Sequence, residues 1–424
     1  MGNQRHRYYN EMAERRNSMI KELFLRNFRG IKTGKLEDFA QFNILVGPNN
    51  SGKSTILESL YLLFSTTRGE VYHDGSFFEC LIPEKDLLGY DPLLRLQKKH
   101  GIYSWEENPG TFVEGSIKVG IKEKFWDLQR LDKNFERGDE DKIGYAALDY
   151  TRKEMESDSK LKEENWLKFI INEEDLSSFP DKGRTGILWF QDFTYEFQGI
   201  AVWTAGIDQN PPHNVLFFDA LTAMQHIETS FHSRALKSVP GWLHEIREQF
   251  GNIFPNTDFQ ITFTPLKIDS DRNLMKGYIE YREKPGIPVD LLGDGARTMF
   301  KFLVFLAAME DNGLVLWEDP ELFQHSETLE RSVKGVVDSA NEKHLQVFLS
   351  TQSLEVLGWF ATMVKEGELS SEDVRVYYTD LKDGILISAP YTAEILLNWI
   401  KMELDPRKPR KIAGNLIYRV EEGE

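Results

Sequence analysis

One segment constrains this chain more than any other. Gly47-Pro48-Asn49-Asn50-Ser51-Gly52-Lys53-Ser54 satisfies G-x-x-x-x-G-K-[ST], and Thr55 follows it. The run Phe42–Val46 before it is short and mostly apolar, which predicts a buried strand. After it, Ile56, Leu57, Leu60, Leu63 and Phe64 fall on one side of a predicted helix over 54–64. Strand, glycine loop and helix are the context a phosphate cradle requires. The glycines let the backbone curl so that successive N–H groups point inward, and the helix N-terminus adds its positive dipole end. In such a loop Lys53 reaches the β- and γ-phosphates and Ser54 ligates Mg²⁺. The expected ligand is ATP with Mg²⁺, held by Gly47, Asn49, Asn50, Ser51, Gly52, Lys53, Ser54 and Thr55.

Charge and composition narrow the partners. The net charge of −17 argues against a chain-wide grip on nucleic acid, which needs clustered Lys and Arg. One local basic run remains, Arg407-Lys408-Pro409-Arg410-Lys411, readable as a DNA contact or as a solvated tail. No apolar stretch is long enough to span a membrane, and the first residues lack the apolar centre of a secretory signal. The single cysteine, Cys80, can form neither an internal disulfide nor a multi-cysteine zinc site. A cytoplasmic location is the resulting expectation.

The chain divides by pattern. Residues 1–19 read as a polar tail. Residues 20–390 read as one nucleotide-binding domain, interrupted over about 66–183 by a polar, aromatic-rich insertion. Within that insertion a strand is predicted over 111–121 and a helix over 155–171. Strands follow at 186–193 and 199–203, a helix at 240–250, and a hairpin at 258–282 around Asp269-Ser270-Asp271. Asp269 and Asp271 suit a turn better than a metal site. From 297 onward helices (297–309, 327–339, 354–363) alternate with strands (314–317, 345–350, 373–378), implying a mostly parallel sheet. Residues 391–424 read as a C-terminal helix and basic tail.

Three further segments bear on the nucleotide. Leu292-Gly293-Asp294-Gly295 opens a helix and is a second candidate phosphate cradle, or a plain capped loop. Leu314-Val315-Leu316-Trp317 is an apolar strand ending in Glu318 and Asp319, as a Walker B motif does. Val347-Phe348-Leu349-Ser350 is another, ending in Thr351-Gln352-Ser353. The glycine turn precedes the paired carboxylates with one helix between, the order of the ABC class of ATPases. No N-K-x-D segment for guanine is present, and the loop is not the G-x-G-x-x-G of protein kinases.

Phe24-Leu25-Arg26-Asn27-Phe28-Arg29-Gly30-Ile31 with the loop through Thr55 resembles the SMC/RecF branch of ABC ATPases. The turn at 292–295, Glu318-Asp319-Pro320-Glu321 and Phe348 to Ser353 are similar to the ATPase half of OLD-family proteins, including the ATPase subunit of PARIS-type anti-phage systems. The resemblance implies an α/β P-loop fold with a mostly parallel central sheet, N-terminal antiparallel strands and a helical/β insertion. It implies that Glu318 helps hold Mg²⁺ and that Asp319 activates the attacking water. Gly293, Asp294 and Gly295 would meet the γ-phosphate across a homo-oligomer interface, and Arg29 would approach the nucleotide or remain a surface arginine. Glu321 and His325 would face the partner or be a solvated helix start. The family's switch position is usually histidine. Gln352 stands there and cannot carry a proton as imidazole does, so slow hydrolysis is expected. OLD nucleases add a Toprim domain, for which too little chain follows residue 378. The expectation is an ATPase that oligomerises around ATP and gates a separate effector, such as a Toprim nuclease, in prokaryotic defence. Two alternatives remain, a RecF-like DNA-repair ATPase and a non-hydrolysing scaffold.

Overall fold

The computed structural model describes residues 20–28, 30–64, 66–73, 76–83, 99, 183–191, 198–207, 214–224, 229–255, 258–265, 275–281, 285–408, 410–412 and 415–417. The strand predicted over 111–121, the helix over 155–171, the Asp269–Asp271 turn and Arg29 lie outside them.

In chain order the first elements are β1 (Ile20–Phe28), β2 (Ile31–Leu36), β3 (Phe42–Val46) and α1 (Lys53–Phe64). A hairpin follows, β4 (Thr66–His73) with β5 (Ser76–Pro83). Next come β6 (Gly183–Gln191), β7 (Gln198–Ile207) and β8 (Val215–Phe218). Three helices, α2 (Ala220–Met224), α3 (Thr229–Ser238) and α4 (Trp242–Ile253), lead to β9 (Phe259–Pro265), β10 (Met275–Tyr281) and β11 (Ile287–Pro288). Then α5 (Asp294–Leu306), β12 (Leu314–Glu318), α6 (Ser326–Lys343), β13 (Gln346–Ser350) and α7 (Leu354–Glu366) alternate. The chain closes with β14 (Val374–Lys382), β15 (Ile385–Thr392), α8 (Ala393–Lys401), β16 (Arg410–Ile412) and β17 (Asn415–Ile417).

The main sheet has ten strands in the order β6-β7-β1-β2-β15-β14-β3-β13-β12-β8. From β14 to β8 every pairing is parallel. Beyond β14 the sheet continues through antiparallel pairs β14–β15, β1–β2, β1–β7 and β6–β7, joined by the parallel pair β15–β2. This is the expected α/β fold: a parallel centre extended by antiparallel N-terminal strands.

Both faces of the parallel centre are covered, so its strands read as mostly apolar runs. Phe42, Ile44 and Val46 of β3, with Val315 and Trp317 of β12 and Val347 and Leu349 of β13, enter one core under α4 to α8. The alternate residues face the other side, where Phe217 meets Tyr61 of α1 at 5.0 Å and Phe348 meets Phe39 at 4.8 Å.

Several boundaries move. The helix predicted from residue 297 starts at Asp294, because Gly293 takes an extended cap conformation and Asp294 complements the helix dipole. The helix predicted to end at 363 runs to Glu366 and stops at Gly367, whose φ of 79° is the left-handed cap. The helix predicted at 240–250 runs over Trp242–Ile253, and β2, β8 and β15 are strands that the pattern did not single out.

Candidate functional site

The loop between β3 and α1 is held in one shape by its own backbone. Gly47 has φ 149°, Asn50 64° and Gly52 91°, conformations that favour glycine and, for Asn50, asparagine. A Cβ at Gly47 would lie 2.1 Å from the Thr379 carbonyl oxygen of β14, so no side chain fits there. The Ser51 and Thr379 hydroxyls share a hydrogen bond of 2.9 Å, which ties the loop to the neighbouring strand. Lys53 folds back over the loop and donates to the carbonyls of Gly47 and Pro48, both at 2.9 Å. Ser54 and Thr55 follow in the first turn of α1, half-buried, while Asn49 and Asn50 are exposed at the rim.

The carboxylates lie two strands away, with β13 between β3 and β12. Glu318 ends β12. Asp319 turns the chain at φ 48° and its N–H donates to Ser350 of β13 at 3.0 Å. Burial, helped by the charges of Glu321 and Glu318, pushes the Asp319 carboxyl up to about 6. Burial pushes the Lys53 ammonium below its ordinary value, while Asp319, Glu318 and Glu321 pull it back up. The loop lysine and the three carboxylates therefore share one electrostatic environment.

The loop after β13 bridges the two halves. Gln352 donates from its side-chain amide to Asn49 Oδ1 at 2.5 Å and from its backbone to Glu321 Oε1 at 2.8 Å. Thr351 donates to the other oxygen of Glu321 at 2.9 Å. Within this chain Glu321 is thus a strut that holds the loop after β13. His325 caps α6 by accepting from Glu327 N at 3.4 Å. Arg407, expected in a solvated tail, is held by Asp405 and donates to the Gln352 carbonyl at 2.5 Å.

The turn of Gly293, Asp294 and Gly295 packs on the loop after β12, where Gln324 donates to Gly295 O at 3.1 Å and a Cβ on Gly295 would lie 2.7 Å from Phe323 O. Asp294 pairs with Arg297 at 2.7 Å. Around Gly293 a Cβ would meet nothing within 4 Å.

The residues present suit ATP with Mg²⁺. The loop is a cradle that a Cβ would obstruct, and its lysine is 8% exposed with a donor aimed at the loop. The Ser54 hydroxyl and Glu318 carboxylate are hard oxygen donors of the kind Mg²⁺ takes. Among the described residues no three Asp, Glu, His or Cys side chains form a metal site by themselves. A phosphate-bound Mg²⁺ needs only one or two carboxylates.

Sequence reasoning passed over Lys99, whose ammonium contacts Glu318, and over Glu58 and Asp219, which contact the same ammonium. Glu58 carried a signal: a carboxylate beside Leu57 in an apolar stripe, wholly buried in the structure. Asp219 carried another, ending the apolar run Val215–Phe218 as Glu318 ends its own. Lys99 lies in a polar stretch that set it apart in no way.

The fold is α/β, with the G-x-x-x-x-G-K-S loop set between a buried parallel strand and a helix. Residues 19–182 match the family model described as AAA ATPase domain. An ATP/GTP phosphatase of Helicobacter pylori is 22% identical over 404 residues, covering 91% of this chain and 99% of that protein. An uncharacterized protein of Methanocaldococcus jannaschii is 49% identical over 51 residues, a match spanning 12% of this chain and 23% of that protein. The DNA replication and repair protein RecF of Vibrio campbellii is 46% identical over 44 residues, 10% of this chain and 12% of RecF. Among solved structures, an SMC head bound to the C-winged helix domain of ScpA aligns with a TM-score of 0.45 and 10% identity, covering 89% of this chain and 99% of that one. Among the described residues no helix is long and apolar enough to cross a membrane.

Proposed function

We propose that this chain binds ATP with Mg²⁺, hydrolyses it slowly, and assembles with copies of itself around the nucleotide to gate a separate effector. The carrying observation is the closed loop at Gly47–Thr55 with Lys53 on its carbonyls, in one electrostatic field with Glu318, Asp319 and Glu321.

Each residue has a task in this reading. The backbone N–H groups of Asn49 to Thr55 wrap the phosphates, and Lys53 exchanges its carbonyl partners for phosphate oxygens. Mg²⁺, when bound through Ser54 and Glu318, supplies charge neutralisation to the β- and γ-phosphates. Asp319 accepts a proton from the attacking water. Gln352, fixed between Asn49 and Glu321, orients that water but cannot shuttle its proton, which keeps turnover slow. Gly293, Asp294 and Gly295 would complete the site of a second subunit.

Lys53→Ala is expected to weaken ATP binding about a hundredfold, and Asp319→Asn to retain binding while losing turnover, read by calorimetry and phosphate release. ATP affinity unchanged in Lys53→Ala would sink the reading. Absence of turnover in wild type would favour an ATP-dependent scaffold.

The resemblance to compact OLD-like ATPases supports a role in prokaryotic anti-phage defence, with an effector such as a Toprim nuclease supplied by another chain. The short RecF match supports a second reading, direct DNA binding in repair. The net charge of −17 opposes it, and salt-sensitive binding of duplex DNA by the isolated chain would favour it.

A further inference from the structure

A buried charge cluster adjoins the phosphate loop. The Lys99 ammonium is 15% exposed and lies 2.6 Å from Glu318 Oε2, 3.1 Å from Glu58 Oε1 and 3.5 Å from Asp219 Oδ2. It also sits 4.8 Å from the centre of the Phe217 ring. Three elements converge here: α1 brings Glu58, the end of β8 brings Asp219 and the end of β12 brings Glu318. Glu58 stands four residues beyond Ser54, on the same face of α1. The other oxygen of Asp219 is fixed by Thr222, whose N–H and hydroxyl donate at 2.9 and 2.7 Å. Lys99 thus sits among three acids, one of them anchored by Thr222.

An ammonium and a divalent metal compete for the same carboxylate oxygens. Both cannot share Glu318 cheaply, because like charges a few ångströms apart repel strongly where water is scarce. We propose that Lys99 competes with the nucleotide's divalent metal for Glu318, so that metal enters only by displacing the Lys99 contact. The identity of the competing metal rests on the ATP–Mg²⁺ reading above. Lys99 is then a positioning residue that sets the metal threshold of the site.

Mn²⁺ alone, titrated into the nucleotide-free full-length chain and followed by electron paramagnetic resonance, tests this. Lys99→Gln keeps a hydrogen-bond donor and loses the charge; Lys99→Arg keeps the charge. Lys99→Gln is expected to bind Mn²⁺ at least about tenfold more tightly than wild type (~1.4 kcal/mol), and Lys99→Arg to match wild type. Equal or weaker Mn²⁺ binding by folded Lys99→Gln overturns the inference, as does equal tightening by Lys99→Arg. Should Lys99→Gln fail to fold, acylation of Lys99 in wild type, read by peptide mass spectrometry, decides. Saturating Mn²⁺ should raise labelling several-fold, and unchanged labelling overturns the inference. ATP affinity measured in EDTA tests the ATP reading separately.

Discussion

Gln352 reaches Asn49 across the gap between the β13 and β3 loops, with its backbone held from both sides by Glu321 and Arg407. That geometry presents the residue-352 side chain to the phosphate loop. A histidine there could keep a donor toward Asn49 and also carry a proton. Gln352→His is therefore expected to raise kcat by about tenfold, the low end of general acid–base effects, with ATP affinity little changed. Equal kcat for the two proteins would remove Gln352 from the account of slow turnover. A second residue reports on stability. His232 is buried, its Nδ1–H donates to the Met275 carbonyl at 3.1 Å, and burial pulls its imidazole down to about 4. Its folded value lies below the unfolded 6.5, so the unfolded chain takes up the proton first as pH falls. Stability is then fully present above 6.5 and declines toward pH 4, by up to about 3 kcal/mol. His232→Gln should flatten that decline in urea midpoints taken between pH 7 and 4. At this scale the loop residues were legible because glycine, lysine and hydroxyl spacing is itself the chemistry. The roles of Lys99 and Arg407 were not, since ion pairs of Lys99 with distant elements and the bond from Arg407 to the Gln352 carbonyl leave no local pattern.

The end of α5 shows how elements complete one another. Its last carbonyls lack helical partners. The Trp242 indole of α4 donates to Val304 O at 2.8 Å, and Lys343 of α6 donates to Leu306 and Ala307 O at 3.3 and 3.1 Å while pairing with Glu245. Trp242 is 1% exposed and packs on Phe263 at 5.0 Å. Trp242→Ala removes a large buried ring and orphans a carbonyl, so it should cost about 3–5 kcal/mol. Trp242→Phe should cost clearly less, because the ring stays. Chemical denaturation of both measures the difference, and a loss under about 1 kcal/mol for the alanine would contradict this packing account. The strands β3, β12 and β13 were legible because burial on both faces writes mostly apolar runs. β15 escaped because Ala389-Pro390 breaks the strand pattern; Pro390 pairs with Tyr377, beyond the one residue, Ile385, that pairs with β2. β2 escaped because Lys32, Thr33 and Lys35 make it read as a polar turn region.

At the scale of the whole molecule, the turn at Gly293 opens outward. It rests on the loop after β12, where Phe323 is 41% exposed, and Leu291 beside it is 74% exposed. Apolar side chains left in water next to a glycine turn at a helix N-terminus suit a surface that a second copy covers. A Cβ on Gly293 meets nothing within 4 Å and the residue's φ is −57°, so a side chain there starts into open space without backbone strain. Gly293→Trp is thus a clean probe of assembly. In an Asp319→Asn background that preserves ATP, the chain is expected to form an ATP-dependent oligomer by light scattering. Adding Gly293→Trp should abolish that oligomer, while melting temperature and single-chain ATP affinity stay near those of the parent. Two chains of charge −17 repel one another, so raising salt from low to physiological should strengthen the oligomer, opposite to the trend for a nucleic-acid complex. An oligomer that survives Gly293→Trp would place the nucleotide-dependent contact elsewhere and leave Lys53 and Asp319 to act within one chain.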